Sequence, residues 1–261
     1  MSLTLGTGPL SSKPRGHMNA RIEGPAHTLY FEPFERRMRA LLDGETVVDT
    51  TRGMLLYESN IGPVLYVPKE DVREDLLTRT DHTTHCPFKG DATYWSVGDA
   101  ENAIWGYQQP IEGASFLEGY VAPYWHLFEW YEEDERLHSK FRDPYHRVDV
   151  RRSSARVTVR IQDEVVAETD SPLLLFETGL APRAYLRRDD VREELLEPSD
   201  KETVCPYKGV ASYWSVKGAP DAMWSYSDPI PEAAAIEGLV SFDDEGVEVE
   251  IERSATPATA R

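Results

Sequence analysis

Apolar and polar residues alternate with a period of two along most of this chain, the spacing of half-buried strands rather than helices. In ARVTVRIQDEVVAET, Val157, Val159 and Ile161 share one face, and the pattern resumes at Val165 and Val166 after Gln162–Asp163. That predicts a hairpin. RMRALLDGETVVDT has the same form, with Asp43–Gly44 as a two-residue turn signal. MLLYE and LLLFE read as buried strands, followed by Gly- or Pro-containing turns and then VLYV or AYLR. TYWSV, AIWGY and YVAPYW return to strand spacing. DVREDLL departs from it: Val72, Leu76 and Leu77 fall on one helical face, so a short helix is expected. PEAAAIEG predicts a helical turn starting at Pro231. The expected fold is mainly β, with one or two short helices per repeat.

The pattern occurs twice. The only two cysteines, Cys86 and Cys205, open the phrases CPFKGDATYWSV and CPYKGVASYWSV, 119 positions apart. The same shift aligns HTLYF at His27 with HRVDV at His146, DVREDLL with DVREELL, WGYQQPI with WSYSDPI, and EGYV with EGLV, without a gap. Between Glu45 and Val121 nearly half of the positions are identical in the two copies. A duplicated unit is expected: a first repeat over 27–136, a polar linker over 137–145 and a second repeat over 146–252. A mobile N-terminal tail over 1–26 and a C-terminal tail over 253–261 flank them. Two similar domains in one chain are expected to pack as an intramolecular pseudo-dimer.

Composition narrows the function. The chain has 261 residues, 40% hydrophobic content and a formal net charge of −18. Charge of that sign repels phosphate backbones and argues against a nucleic-acid partner. No apolar run reaches the ~20 residues of a membrane span, and the N-terminal stretch lacks a signal-peptide core. A cytoplasmic location follows, with both cysteines as free thiols. The acidic run Glu132–Glu135 reads as a solvated face, since consecutive carboxylates do not converge.

The repeated phrase concentrates the candidate chemistry. Tyr94, Trp95, Trp105 and Tyr107 recur as Tyr213, Trp214, Trp224 and Tyr226, and are the expected ligand-binding residues. Either Tyr94 or Trp95 faces the ligand, because successive strand residues point to opposite sides. Large aromatics also fill small β cores, so each ring alone is explained by packing; the recurrence of rings, thiol, ammonium and hydroxyls together suggests a pocket. Cys86 and Cys205 are either small buried hydrophobes or nucleophiles assisted by Lys89 and Lys208. Packing is favoured, since no histidine base is found in both copies. The lysines are either solvated surface charges or rim charges for an anionic ligand group. His82 and His85 beside Cys86 could suggest a metal site, but the second copy reads DKETVC and loses both, so no metal is expected. Asp81/Asp200, Glu58/Glu177 and Glu118/Glu237 also recur; capping and salt bridges suit them better than acid–base catalysis. Nucleotide-binding signatures are absent and no cofactor is expected.

DVREDLL, DHTTHCPFKGDATYWSV, WGYQQPI and YEEDE…RDPYHRVDV together resemble the family called domain of unknown function 427, over both copies. The resemblance implies tandem compact β domains of the β-tent type. It also carries a nucleotidyltransferase-like label, whose Gly-Ser and Asp-x-Asp pattern this chain lacks. The two CxxC pairs that hold zinc in other β-tent proteins are missing as well. The resulting expectation is a protein that binds a small flat or heterocyclic, possibly nucleotide-like, molecule in an aromatic-lined pocket. An enzyme with a cysteine nucleophile or nucleotide-directed activity, and a protein-interaction module, are the alternatives.

Overall fold

A computed structural model of the chain describes residues 3–17, 27–242 and 246–253. The chain divides into two compact units, Met1–Tyr145 and His146–Arg261, each mainly β with its own cores. The two-residue turns named above close their hairpins. Asp43 and Gly44 take φ of 50° and 81°, Gln162 and Asp163 take 49° and 62°. Two successive left-handed residues give the twist that suits paired strands.

In the first unit a seven-stranded sheet runs in the order Leu29–Pro33, Met54–Glu58, Ile61–Pro68, Tyr120–Pro123, Ala100–Gly106, Gly90–Val97, Leu77–Cys86. A four-stranded sheet, Glu135–Leu137, Glu129–Glu132, Met38–Leu42, Glu45–Thr50, packs against one of its faces. Strand alternation then sorts the side chains. Leu55, Tyr57, Leu65, Val67, Trp95 and Val97 enter the core between the sheets. Their neighbours Leu56, Tyr66, Ala92 and Tyr94 face the other side, into a second cluster closed by Ala114 and Leu117 of the 3-10 stretch Glu112–Leu117. The second unit repeats the division: Leu174, Ala184, Leu186 and Val216 face one cluster, and Leu175, Tyr185 and Ala211 the other, covered by Ala233 and Ile236.

The helical stretches of the described residues are all short 3-10 turns. DVREDLL therefore does not form the expected helix. It splits into Lys69–Asp71 and Glu74–Leu76, separated by Val72 with φ −101° and ψ 137°. Val72 is 5% exposed and bridges Val48, so burial in extended form outweighs the local helical spacing. PEAAAIEG does form its turn, over Pro231–Ile236.

The flanking segments also differ from expectation. Within residues 3–17, Thr4 is fully buried, its hydroxyl donates to the Ile61 carbonyl at 3.2 Å, and Leu3 packs on the first core. The expected tail is therefore anchored there; residues 18–26 and 254–261 lie outside the described residues. The polar linker is likewise part of the first unit. Phe141 is 3% exposed beside Phe34 and Trp125, and the Tyr57 hydroxyl donates to Asp143 at 3.0 Å. Among the described residues no helix is long and apolar enough to cross a membrane.

Candidate functional site

Each copy builds the same constellation on the strand face that carries the second cluster, on one sheet in the first unit and across two sheets in the second. The Cys–Pro–x–Lys–Gly turn folds back on itself, with Lys89 N–H donating to Cys86 O at 3.2 Å and Ile111 N–H to Lys89 O at 3.1 Å. The second copy has Lys208 to Cys205 at 3.3 Å and Ile230 to Lys208 at 3.1 Å. Gly90 and Gly209 end the turn at φ 102° and 109°. A Cβ on Gly209 would stand 3.1 Å from the Asp228 carbonyl, so glycine is required by both conformation and contact.

This fold-back sends the lysine inward. Lys89 is 6% exposed and its ammonium pairs with Glu58 Oε1, while the other carboxylate oxygen takes His27 Nε2 at 3.1 Å. In the second copy Glu177 takes Lys208 at 2.5 Å and His146 at 2.9 Å. The turn's own aromatic covers each imidazole: His27 stacks 4.1 Å from Phe88, and His146 lies 3.9 Å from Tyr207 at a tilt of 31°. Burial alone would raise the Glu177 carboxyl, but His146 and Lys208 outweigh it and bring its pKa down to about 2. A buried ion pair satisfied on both carboxylate oxygens tolerates its desolvation far better than a lone charge.

Two expectations are corrected by this arrangement. Lys89 is neither a solvated charge nor a rim charge: Glu58 holds it inside, and Lys208 is held by Glu177. A histidine does recur in both copies, as His27 and His146. The 119-residue shift already aligned them, but they stand far from the cysteines in sequence and only strand pairing brings them to the turn. Glu58 and Glu177 act through salt bridges, as expected. Asp81, Asp200, Glu118 and Glu237 are exposed. His85 pairs with Asp91 at 2.6 Å, and His82 packs edge-on to Tyr94. No three His, Cys, Asp or Glu side chains gather for a metal among the described residues.

Next to the charged network lies the aromatic cluster. In the first copy Tyr66, Tyr94 and Tyr107 are buried together, with Cys86 and Trp105 half-buried against them. Trp105 meets Tyr66 at 5.4 Å and Tyr107 at 5.7 Å, both edge-to-face. The Lys89 ammonium lies 5.5 Å from the Tyr107 ring centre. Burial pushes the Tyr107 hydroxyl's pKa up, and the Cys86 sulfur beside it adds to that. Tyr94 shares a 2.9 Å hydrogen bond with Thr84. The second copy gathers Tyr185, Tyr226, Tyr213, Cys205 and Trp224, with Tyr213 and Thr203 2.8 Å apart. Both cysteines are free. Of the eight expected ligand-binding residues, six therefore lie together by copy. Trp95 and Trp214 point to the opposite face, into or against the inter-sheet core, under Lys69 and Arg188 respectively.

The family model for the domain of unknown function DUF427 matches the chain twice, over residues 30–134 and 149–253. The chain belongs to the DUF427 family. No curated protein matches it closely enough to count as a relative. Each DUF427 match includes its cysteine, lysine, glutamate and ring residues, whereas His27 and His146 stand three residues before the matched spans.

The two DUF427 copies differ around this shared centre. In the second, a cavity of about 350 Å3 is lined by Glu177, Arg183, Phe242, Val247 and Val249 among others. Phe128 and Trp130 stand where the second copy has Val247 and Val249, which gives the first copy bulkier walls. Arg183 also lies over the Trp224 ring at 4.9 Å, but most of the cavity's apolar walls belong to the core between the sheets, and Cys205, Tyr213, Trp224 and Tyr226 do not line it.

Proposed function

We propose that this chain binds a small, flat, polar molecule at the cysteine-centred aromatic cluster of each copy. Tyr94, Trp105 and Tyr107, and Tyr213, Trp224 and Tyr226, supply the flat walls. The observation that carries this reading is the cluster's repetition: a half-buried thiol and a half-buried indole against buried tyrosines, with the same neighbouring ion network, in both copies. Reachable rings beside fixed polar groups are the usual makings of a ligand site. A reducing, cytoplasmic setting keeps both thiols free, as the site requires. Nucleotide-like heterocycles fit the class through stacking on Trp105 or Trp224, each aromatic pair contributing about 1 kcal/mol beyond burial.

The test is a ligand screen by calorimetry and Trp fluorescence on the parent, Trp105→Ala and Trp224→Ala, with folding checked by circular dichroism. A true ligand loses about tenfold affinity at the altered copy, near 1.4 kcal/mol. Folded variants that bind every hit as the parent does would refute the reading.

A further inference from the structure

Tyr66 is fully buried, and its hydroxyl has no hydrogen-bond partner. At the equivalent place in the second copy, Tyr185 is 1% exposed and its hydroxyl is likewise unpartnered. Burial holds the Tyr185 hydroxyl's pKa above its ordinary value, and the Trp224 indole offsets this only in part, without completing a regular hydrogen bond. Buried phenol hydroxyls almost always find an acceptor, so an orphan recurring at matched positions calls for a missing one. Each orphan belongs to the cluster that contains its copy's half-buried cysteine. Around Tyr66 the charged or titratable neighbours are Tyr107, Glu58, Cys86 and Tyr94. Glu58 is already engaged on both oxygens, by His27 and Lys89. A donor with no acceptor and a nucleophile with no electrophile thus share one site.

We propose that each copy captures a small planar aldehyde, the thiol of Cys86 or Cys205 adding to the carbonyl carbon while the hydroxyl of Tyr66 or Tyr185 binds the carbonyl oxygen. This rests on the binding reading above and names the ligand's reactive group. In the step, sulfur forms a bond to carbon, the C=O π pair moves to oxygen, and the thiol proton ends on that oxygen. The product is a hemithioacetal. Nothing is oxidised or reduced, no co-reactant is needed, and the addition reverses. Negative charge grows on the oxygen as the C–S bond forms, and an unpartnered hydroxyl in the same buried cluster would stabilise it most at that point. Acyl transfer fits less well, because a leaving group must be protonated and His27 and Lys89 are both tied to Glu58 rather than placed at the thiol. A peroxide would need an outside reductant to restore the thiol.

The probe is 4-pyridinecarboxaldehyde carrying 13C at the carbonyl. Carbon NMR on the full chain should show its signal move from the carbonyl to the saturated region, with two adducts per chain. Cys86→Ala and Cys205→Ala should each remove one. Tyr66→Phe and Tyr185→Phe, which keep the ring and delete only the orphan, should weaken the adduct of their own copy about tenfold. Their alkylation by iodoacetamide, which needs the thiol but offers no aldehyde oxygen, should stay at the parent's rate. Adducts on the parent no more stable than those on free glutathione would overturn the proposal without any variant. So would phenylalanine variants that capture as well as the parent. The matching alcohol, 4-pyridinemethanol, separates the two readings: if it binds while the aldehyde forms no adduct, the flat-molecule site stands and the thiol chemistry falls. If neither binds, the aldehyde proposal falls, while the flat-molecule site is decided by the screen above.

Discussion

At the scale of single residues, the Glu–Lys–His set is the most constrained chemistry in each copy. Taking Lys89 and Glu58 out of water is costly, and it is tolerated because each charge meets its opposite and His27 completes the carboxylate. The second copy turns this into an acid sensitivity. Folded Glu177 has a pKa of about 2 against 4.5 as a free side chain. A depressed carboxylate stabilises the fold fully above pH 4.5 and loses that contribution as pH falls toward 2. The difference is worth about 3 kcal/mol. Urea unfolding followed between pH 5 and pH 2 should show this loss, and Glu177→Gln should flatten that limb; an unchanged limb would contradict the assignment. The sequence already held these residues in register. What it hid was their meeting, since lysines two places from proline in a polar turn look solvated until the turn's fold-back is known.

At the scale of elements, the glycine that ends the turn decides where the lysine goes. Gly90 and Gly209 sit at φ of 102° and 109°, where a Cβ is strained, and backbone of Gln109 and Ile111, or of Asp228 and Pro229, lies close. Gly90→Ala and Gly209→Ala should each destabilise their unit by ~1–3 kcal/mol. Gly98→Ala, at φ 54° with open space around its Cβ, should cost less. Thermal unfolding of the three variants ranks them. Strands and hairpins were readable because period-two spacing and Asp–Gly turns act locally. DVREDLL was misread because Val72 answers to Val48 across the sheet, a long-range demand that no local spacing encodes. The inward choice between Tyr94 and Trp95 was equally beyond local pattern: both faces of the larger sheet are buried, so apolarity alone could not say which face held the core between sheets.

At the scale of the whole molecule, duplication was the plainest signal in the sequence, and it pointed to the residues that gather in the cluster. It did not foretell how the copies diverge. Tyr94 is buried where Tyr213 is half-buried, Val64 stands where Arg183 covers Trp224, and the roomy side of the second copy comes from Val247 and Val249. Two sites of one design but unequal surroundings bend a titration. For any ligand that both accept, the isotherm should be shallower than a single-site curve, with a Hill slope below one that arises from heterogeneity alone. Disabling either copy should restore a slope of one, each variant keeping a different half of the parent's curve. On the proposed binding reading, such a pair of unequal sites would widen the concentration range of response, a logarithmic gauge rather than a threshold.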